Sequence, residues 1–335
     1  MKANIKIIAE KSGVSIATVS RVLNDYKGVK DNTRKKVLKV VNDFDYEINA
    51  IAKSLKQKRT MTIGVIVGNI LSQFYSIVAE SVEMTLNKYG YNTILCNGND
   101  NPEKELKYLK ILRSNRVDGI ILTPTGKNAG YINKLINSEI KIVLLDRLID
   151  DVNCEAVIVD NLSGSYMAVR HLIEQGYKRI GIINGYINRT TGYDRLAGYK
   201  KALSDFNMGI DDNLIKIGDF KQDSGYKLTQ EILKNKPDSL FVTNLDMTLG
   251  AILYLKEKRI RIPDNIAFVG FDDSEWAKII DPPLTVVQQP VKVLAATAAE
   301  ILIRSINENK IDQNSLIHTL NTNLVVRESS LKKNN

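Results

Sequence analysis

Histidine and cysteine are nearly missing from this sequence, with two of each in 335 residues. His171, His318, Cys96 and Cys154 are too few and too scattered for a zinc cluster, a paired redox motif or a disulfide framework. Each cysteine adjoins an apolar run, where a buried free thiol is expected. No apolar run approaches the roughly 20 residues that span a bilayer. The N-terminus is a charged helix former, not a basic stub with an apolar core, so no secretory signal is read and a cytoplasmic protein without membrane contact is expected. There is no G-x-S-x-G, P-loop or G-x-G-x-x-G, and no histidine near a plausible nucleophile. His171, on the amphipathic stretch 167–175, is expected at a surface or interface. An enzyme, a metal and a cofactor are therefore all disfavoured. No period of 20 to 50 residues repeats, the only low-complexity run is the tail 332–335, and residues 326–335 carry no leucine heptad for a tetramerising coiled coil.

What is present is ordinary in bulk and uneven in charge. A chain 44% hydrophobic and 25% charged is normal for globular domains, and its length asks for two or three of them. Residues 1–60 hold fourteen lysines and arginines against six acids, which is eight of the nine net positive charges. A basic head on a near-neutral body is the footprint of phosphate binding confined to one end, where a merely solvated charged face would not empty the rest of net charge.

Within that head, Ile5, Ile8 and Ala9 recur at helical spacing, Gly13 supplies the positive φ of a sharp turn, and Ser15 can cap a second helix with Val19, Val22 and Leu23 on one stripe. Ile16, Ala17, Ser20, Arg21 and Asn24 face the other way. Laid N-terminus first in a major groove, such a helix would aim Arg21 at the two acceptors of guanine and Ile16 at thymine methyls. Ser15, Thr18 and Thr33 complete the candidate DNA-contacting set of the head. Asp31 and Asn32 open a third helix, with Val37, Val40, Val41 and Phe44 as its apolar face. On these residues alone the alternative is a small surface helical hairpin. Residues 46–59 have a helix-like period but are short for an isolated helix, so they read as a conditional helix or as a plain linker.

From Met61 the pattern becomes strand–helix repeats: strands 63–67, 93–96, 119–122 and 142–145 alternate with helices 75–89, 102–114 and 131–137. A second series follows, with strands 156–159, 179–183, 214–217, 239–242 and 266–269 and helices 165–175, 194–206, 224–233 and 247–258. Strand 285–288, helix 291–306 and strands 315–319 and 322–326 close the chain. Repeated βα units demand parallel sheets with helices on both faces, and the count fits two lobes. The expected architecture is an all-α helix-turn-helix headpiece plus an α/β two-lobe sensor. The domains are 1–47 (head), 48–60 (hinge helix and linker) and 61–335, the last with an N-lobe of about 61–160 plus 291–320 and a C-lobe of about 161–289 plus 321–330.

Ligands of such sheets bind at strand carboxyl ends, so the candidate pocket lies between the lobes. Its residues by position are Ser72, Phe74, Tyr75, Asp146, Arg147, Arg189, Thr191, Arg195, Phe220, Asn244, Asp272 and Gln289. Carboxylates, amides and guanidinium forks over an aromatic plate suit a sugar: Phe220 or Phe74 against a ring face, and Asp272, Asn244 and Arg195 on its hydroxyls. Arg147, Arg189 and Arg195 either favour an anionic sugar acid or phosphate, or are neutralised by Asp146 and Asp272 around a neutral sugar.

The segment Ala17-Thr-Val-Ser-Arg-Val-Leu-Asn24 after Gly13-Val-Ser15 resembles the opening of the LacI/GalR family of bacterial repressors. The likeness runs nearly full length, through Arg195-Leu-Ala-Gly-Tyr199, Gly270-Phe-Asp-Asp273 and Pro282-Pro-Leu-Thr-Val-Val-Gln-Gln-Pro290. It implies a type I periplasmic-binding-protein-like sensor, a homodimer, and an inverted-repeat operator with a central CpG step. It also implies a hinge that inserts Leu55 into the minor groove with Asn49, Ala50 and Lys56 beside it. Two symmetric heads are needed for a palindrome. The implied function is repression of transcription, with operator affinity changed by a carbohydrate-type effector. The alternative within the family binds DNA only with a small-molecule or phosphoprotein corepressor. A secreted sugar-binding protein would lack the head, and a vestigial sugar enzyme would show turnover. The chain departs from the family pattern at Ile48, where proline is usual, and at Ser72-Gln73, which replaces Asn-Pro. A third departure is Asn244-Leu-Asp246, which displaces the acid of Asn-Asp and turns it elsewhere.

Overall fold

The computed structural model describes residues 4–23, 26, 28–46, 59–308 and 316–332. The chain forms two compact units, Met1–Thr60 and Met61–Asn335. Asn24 of the head and Asn49, Ala50, Leu55 and Lys56 of the expected hinge lie outside the described residues.

The head holds α1 (Ile5–Ser12), α2 (Ile16–Leu23) and α3 (Asp31–Asp43). Asn4 caps α1 by accepting from the amides of Lys6 and Ile7, and Gly13 ends it at φ +65°, a left-handed turn that glycine adopts without strain. Ser15 Oγ then accepts from the Thr18 amide at 3.1 Å, which starts α2 within three residues of the end of α1. Ile8, Ala9, Val19, Val22 and Val37 form the small core beneath these turns.

The second unit contains two six-stranded sheets. The N-lobe sheet has strands β1 (Thr62–Val67), β2 (Asn92–Asn97), β3 (Gly119–Leu122), β4 (Lys141–Leu145), β5 (Glu155–Val159) and β11 (Ile317–Leu320), in the order β11-β5-β4-β3-β1-β2 and wholly parallel. The C-lobe sheet has β6 (Ile180–Asn184), β7 (Ile215–Ile217), β8 (Ser239–Val242), β9 (Ala267–Phe271), β10 (Thr285–Gln288) and β12 (Asn323–Val325), in the order β12-β10-β9-β8-β6-β7. Only its edge pair β10–β12 is antiparallel. Strands such as β1 and β9 are buried almost end to end, because helices cover both faces. The N-lobe helices are α4 (Gln73–Lys88), α5 (Pro102–Ser114), α6 (Ala129–Asn137) and α12 (Val291–Glu308); the C-lobe has α7 (Asn161–Glu174), α8 (Thr190–Asp205), α9 (Gln222–Ile232), α10 (Leu245–Glu257) and the short α11 (Glu275–Ile279). Each lobe carries two apolar clusters, one on either face of its sheet. The chain crosses between lobes after β5, after β10 and between β11 and β12.

Three local expectations are corrected. Helix α7 begins at Asn161, four residues before the expected start, because Asp160 Oδ1 accepts from the Ser163 amide at 2.8 Å and initiates the turn at the lobe crossing. Likewise α8 begins at Thr190 instead of Asp194. His171 is not a surface residue: the C-terminal turn covers it, its Nε2 lies 2.7 Å from Ser330 Oγ, and burial lowers its pKa. Cys96 and Cys154 are buried and free, as expected, and burial raises both thiols.

Helices α9 and α10 approach until their backbones touch. A Cβ on Gly250 would sit 2.0 Å from the Gln222 carbonyl oxygen, and one on Gly225 would sit 2.2 Å from that of Met247. Since neither carbonyl belongs to a flexible side chain, the helices must move apart to admit a methyl. Gly250→Ala is therefore expected to destabilise the sensor by about 1–3 kcal/mol, read as a lower urea midpoint at unchanged slope.

Candidate functional site

In the head, α2 presents Ile16 (44% exposed), Ala17 and Arg21 to solvent while Val19 and Val22 are buried. Ser15 and Thr18 hold each other at 2.9 Å, which fixes the N-terminal turn that would enter a groove. The Arg21 guanidinium lies 5.9 Å from the ring centre of Tyr26, an exposed aromatic that sequence reasoning did not single out. Thr33 sits in the first turn of α3, beside Arg34, whose Nη2 donates to the Tyr26 carbonyl at 2.7 Å. This exposed face is the head's candidate nucleic-acid surface.

In the sensor, the carboxyl ends of β4 and β9 each terminate in an aspartate with left-handed backbone, Asp146 at φ +70° and Asp272 at φ +78°. Their amides donate across to the neighbouring strands, Asp146 to Val157 and Asp272 to Val287, at 2.9 and 2.8 Å. The two lobes thus repeat one device, a strained turn that points a carboxylate into the cleft. Phe220, at φ +63°, shares this region of backbone space, as do Asn99 and Asp100 of the cleft lining. Such conformations persist where surrounding structure over-determines them, and they concentrate at binding sites.

Tyr75 Oη donates to Asp146 Oδ2 at 3.0 Å, and Arg147 bonds Asp100 while its Nε lies 3.4 Å from Asp146 Oδ2. Burial alone would lower the Arg147 pKa, but Tyr75, Asp100 and Asp146 outweigh it and hold the guanidinium charged. Burial would raise Asp100, and Arg147 overcomes that and keeps it below the usual carboxylate range. Asp146 goes the other way: burial raises it against the pull of Arg147 and Arg195. Across the cleft, Arg195 Nε donates to Asn161 Oδ1 at 2.8 Å, Nη1 donates to the Thr243 carbonyl, and the guanidinium lies 3.7 Å from the Phe271 ring centre. Gln289 Nε2 donates to Asp272 Oδ1, leaving Gln289 Oε1 buried without a partner. Burial pushes Asp272 from 3.8 up to about 6, opposed by Arg195 and the Gln289 amide.

Contacts across the lobes close the cleft. Arg147 of the N-lobe lies 5.6 Å from the Phe220 ring centre of the C-lobe, the Leu148 amide donates to Thr190 Oγ1 at 3.1 Å, and Ser72 hydrogen-bonds Asp246. About 60 Å³ of free space remains, well under the ~300–1,000 Å³ of pockets that hold small organic ligands. The aromatic plate is thus covered by Arg147 here, and a ligand must part the two.

Eleven of the twelve expected ligand residues line this cleft: Ser72, Phe74, Tyr75, Asp146, Arg147, Thr191, Arg195, Phe220, Asn244, Asp272 and Gln289. Arg189 is the exception. It sits at the rim, with Nη1 beside Gly126 of the N-lobe loop and the charges of Arg147, Asp100 and Glu105 acting on it. Asn244 lines the cleft but is largely committed to its own lobe, since Oδ1 caps α10 at the Met247 amide and Nδ2 donates to the Phe220 carbonyl. Asp246, expected to turn elsewhere, faces the cleft, because the Asn244 cap sets the rotation of α10 and aims its first-turn acid at Ser72. Asp100 and Asp219 were missed. The rule of strand carboxyl ends, applied to the loops after β2 and β7, would have found both.

A groove-reading helical head joined in one chain to a two-lobe α/β sensor defines the class of DNA-binding regulators controlled by a small ligand. The pattern "Bacterial regulatory proteins, lacI family" matches residues 4–49, and "Periplasmic binding proteins and sugar binding domain of LacI family" matches residues 60–325. The HTH-type transcriptional regulator RegA of Clostridium saccharobutylicum is 35% identical over 99% of this chain and 100% of its own. Among solved structures, a CelR–cellobiose complex shares 28% identity at TM-score 0.74, covering 98% of this chain and 99% of that one. The Lac repressor dimer bound to operator and the anti-inducer ONPF shares 25% identity at TM-score 0.88, covering 99% and 100%. The chain belongs to the LacI family: it is a DNA-binding transcriptional repressor with a ligand-binding sensor domain, and its relatives are regulators, not enzymes. Among the described residues no helix is long and apolar enough to cross a membrane, and no group of His, Cys, Asp or Glu could hold a metal ion.

The buried Asp272 carboxyl makes stability depend on pH. With a folded pKa near 6 against 3.8, the folded state binds the extra proton, so this group's favourable contribution is complete below about pH 3.8 and is lost as pH rises through about 6. Asp272→Asn is expected to raise sensor stability at pH 7.5 by roughly 3 kcal/mol and to flatten the decline between those pH values, as measured by urea denaturation across a pH series.

Proposed function

We propose that the protein represses transcription as a homodimer on an inverted-repeat operator with a central CpG step, and that an uncharged carbohydrate in the cleft sets its operator affinity. The observation that carries the effector class is the charge balance of the cleft. Its lining holds five carboxylates (Asp100, Asp146, Asp219, Asp246 and Asp272) against three cations (Arg147, Arg195 and Lys221), so an added phosphate or carboxylate would meet net repulsion. The charges of both buried guanidiniums are met within the protein, Arg147 by Asp100 and the nearby Asp146 carboxylate, with its Nε left without a hydrogen bond, and Arg195 by Asn161 and the Thr243 carbonyl. Hydroxyls, which both donate and accept, suit what remains. The family's sugar-binding sensor pattern and the cellobiose complex of a relative support the same class.

A ring entering the cleft separates Arg147 from Phe220 and resets how the lobes meet, and that differential binding is what can shift a two-state equilibrium. On DNA, α2 reads the major groove through Arg21 and Ile16, with Ser15, Ala17, Thr18, Ser20 and Thr33 positioning it. The hinge residues Asn49, Ala50, Leu55 and Lys56 form the minor-groove wedge at the operator centre.

Two measurements test this reading. Thermal shift of the full chain against neutral sugars, sugar acids and sugar phosphates should give its stabilisation with neutral sugars, about 2.7 kcal/mol at 100 times Kd; a preference for anions overturns the charge argument. Gel shift on an inverted-repeat duplex should show Arg21→Ala losing about 1–3 kcal/mol of specific affinity per half-site. Release on adding the stabilising sugar indicates induction, and tightening indicates corepression.

A further inference from the structure

Tyr26, in the turn between α2 and α3, is 59% exposed and lies outside the small core of the head, yet both of its backbone polar groups are held. Its amide donates to the Arg21 carbonyl at 2.9 Å, and its carbonyl accepts from Arg34 Nη2 of α3 at 2.7 Å. The turn is thus tied to both helices it joins. We infer that Tyr26 is a positioning residue for DNA recognition, its ring holding the Arg21 side chain in the orientation that reads guanine. The inference rests on the major-groove reading of α2 above and adds to it what aims the reading group.

An exposed arginine has many rotamers, and ordering it on DNA costs binding free energy unless something has ordered it beforehand. The ring is placed to do so. The Arg21 guanidinium lies over it, 5.9 Å from its centre, within the reach of a cation–π attraction. The ring itself is confined. A Cβ on Gly28 would sit 2.6 Å from its Cε1 and 3.3 Å from its Cδ1, so it fills the room that any larger residue at this position would take. The tied backbone and the adjacent Gly28 together set where the ring stands.

The kind of contact matters as much as its place. A carboxylate partner would take the guanidinium N–H groups, the same groups that must reach O6 and N7 of guanine. A ring attracts the cation through its π face and need not take any of them. Among the described residues no carboxylate pairs with Arg21, so its fork stays free for the base while the ring sets its orientation. A phosphate contact through the Tyr26 hydroxyl is the rival account of the same exposed side chain. That account needs the oxygen, whereas positioning needs only the ring.

The test selects duplexes from a randomised pool with the full wild-type chain and repeats the selection with Arg21→Ala, so that the guanine read by Arg21 is the one whose preference this variant loses. Gel shift then compares the selected duplex, the same duplex with those G·C pairs exchanged for A·T, and an unrelated duplex. Tyr26→Ala is expected to weaken binding to the selected duplex by about two- to five-fold per half-site, the usual strength of an exposed cation–π contact, with little change on the other two. Tyr26→Phe is expected to bind as the wild type does. In the Arg21→Ala background, Tyr26→Ala is expected to cost nothing further. The positioning role is overturned, while the Arg21 reading stands, by no loss on the selected duplex, by a loss shared equally by all three duplexes, by a loss that phenylalanine does not rescue, or by equal losses with and without Arg21. If Arg21→Ala changes no base preference, the major-groove reading falls and the positioning role with it.

Discussion

Two arginines buried between the lobes set the terms for everything around them. Arg147 and Arg195 are each about 4% exposed, and a buried guanidinium is tolerable only when its charge and donors are met. The protein meets them by two routes. Arg147 is held by carboxylates, Asp100 and Asp146, whereas Arg195 is held by an amide oxygen, a carbonyl and the face of Phe271. Removing one partner from such a buried charge costs roughly 3–5 kcal/mol. The turns at Asp146 and Asp272 place their carboxylates beside these cations, whose pull offsets only part of the cost of burying them.

The same arrangement explains why the cleft can work as a switch. Its cross-lobe contacts are a guanidinium over a ring, a backbone amide on a hydroxyl and a serine on a carboxylate. Each apolar cluster stays within one lobe, and Phe220 and Leu148, which take part in these contacts, pack against the clusters of their own lobes. Opening the lobes therefore leaves each core within its own lobe, and the polar contacts exchange with water at modest net cost. A ligand that brings its own hydroxyls can replace them. Three chain crossings keep the lobes tethered during the exchange.

Much of the fold was legible because buried parallel strands write themselves as short apolar runs. Ile63–Val67, Gly119–Leu122 and Ile142–Leu145 read as strands for that reason. The helix starts at Asn161 and Thr190 were not, since a polar residue at a lobe crossing initiates the first and neither first turn carries a regular apolar period. His171 misled for a related reason: what covers it is a serine turn 159 positions away, and no local pattern announces a distant lid.

The sequence by itself determined the elements and the end of each strand where chemistry would collect, because apolar periodicity and the geometry of parallel sheets are local or topological facts. It also marked Gly13 and Ser15 as the hinge of the helix pair, since backbone freedom and capping act within a few residues. Only the tertiary structure decided which groups neutralise which. That Asp100 belongs to Arg147, that Asn244 spends its amide on Phe220 and α10, that Arg189 sits at the rim, and that Asp246 reaches Ser72 all depend on side chains meeting across the fold. Charge pairing falls off over a few ångströms of space, and distance along the chain carries almost no record of it.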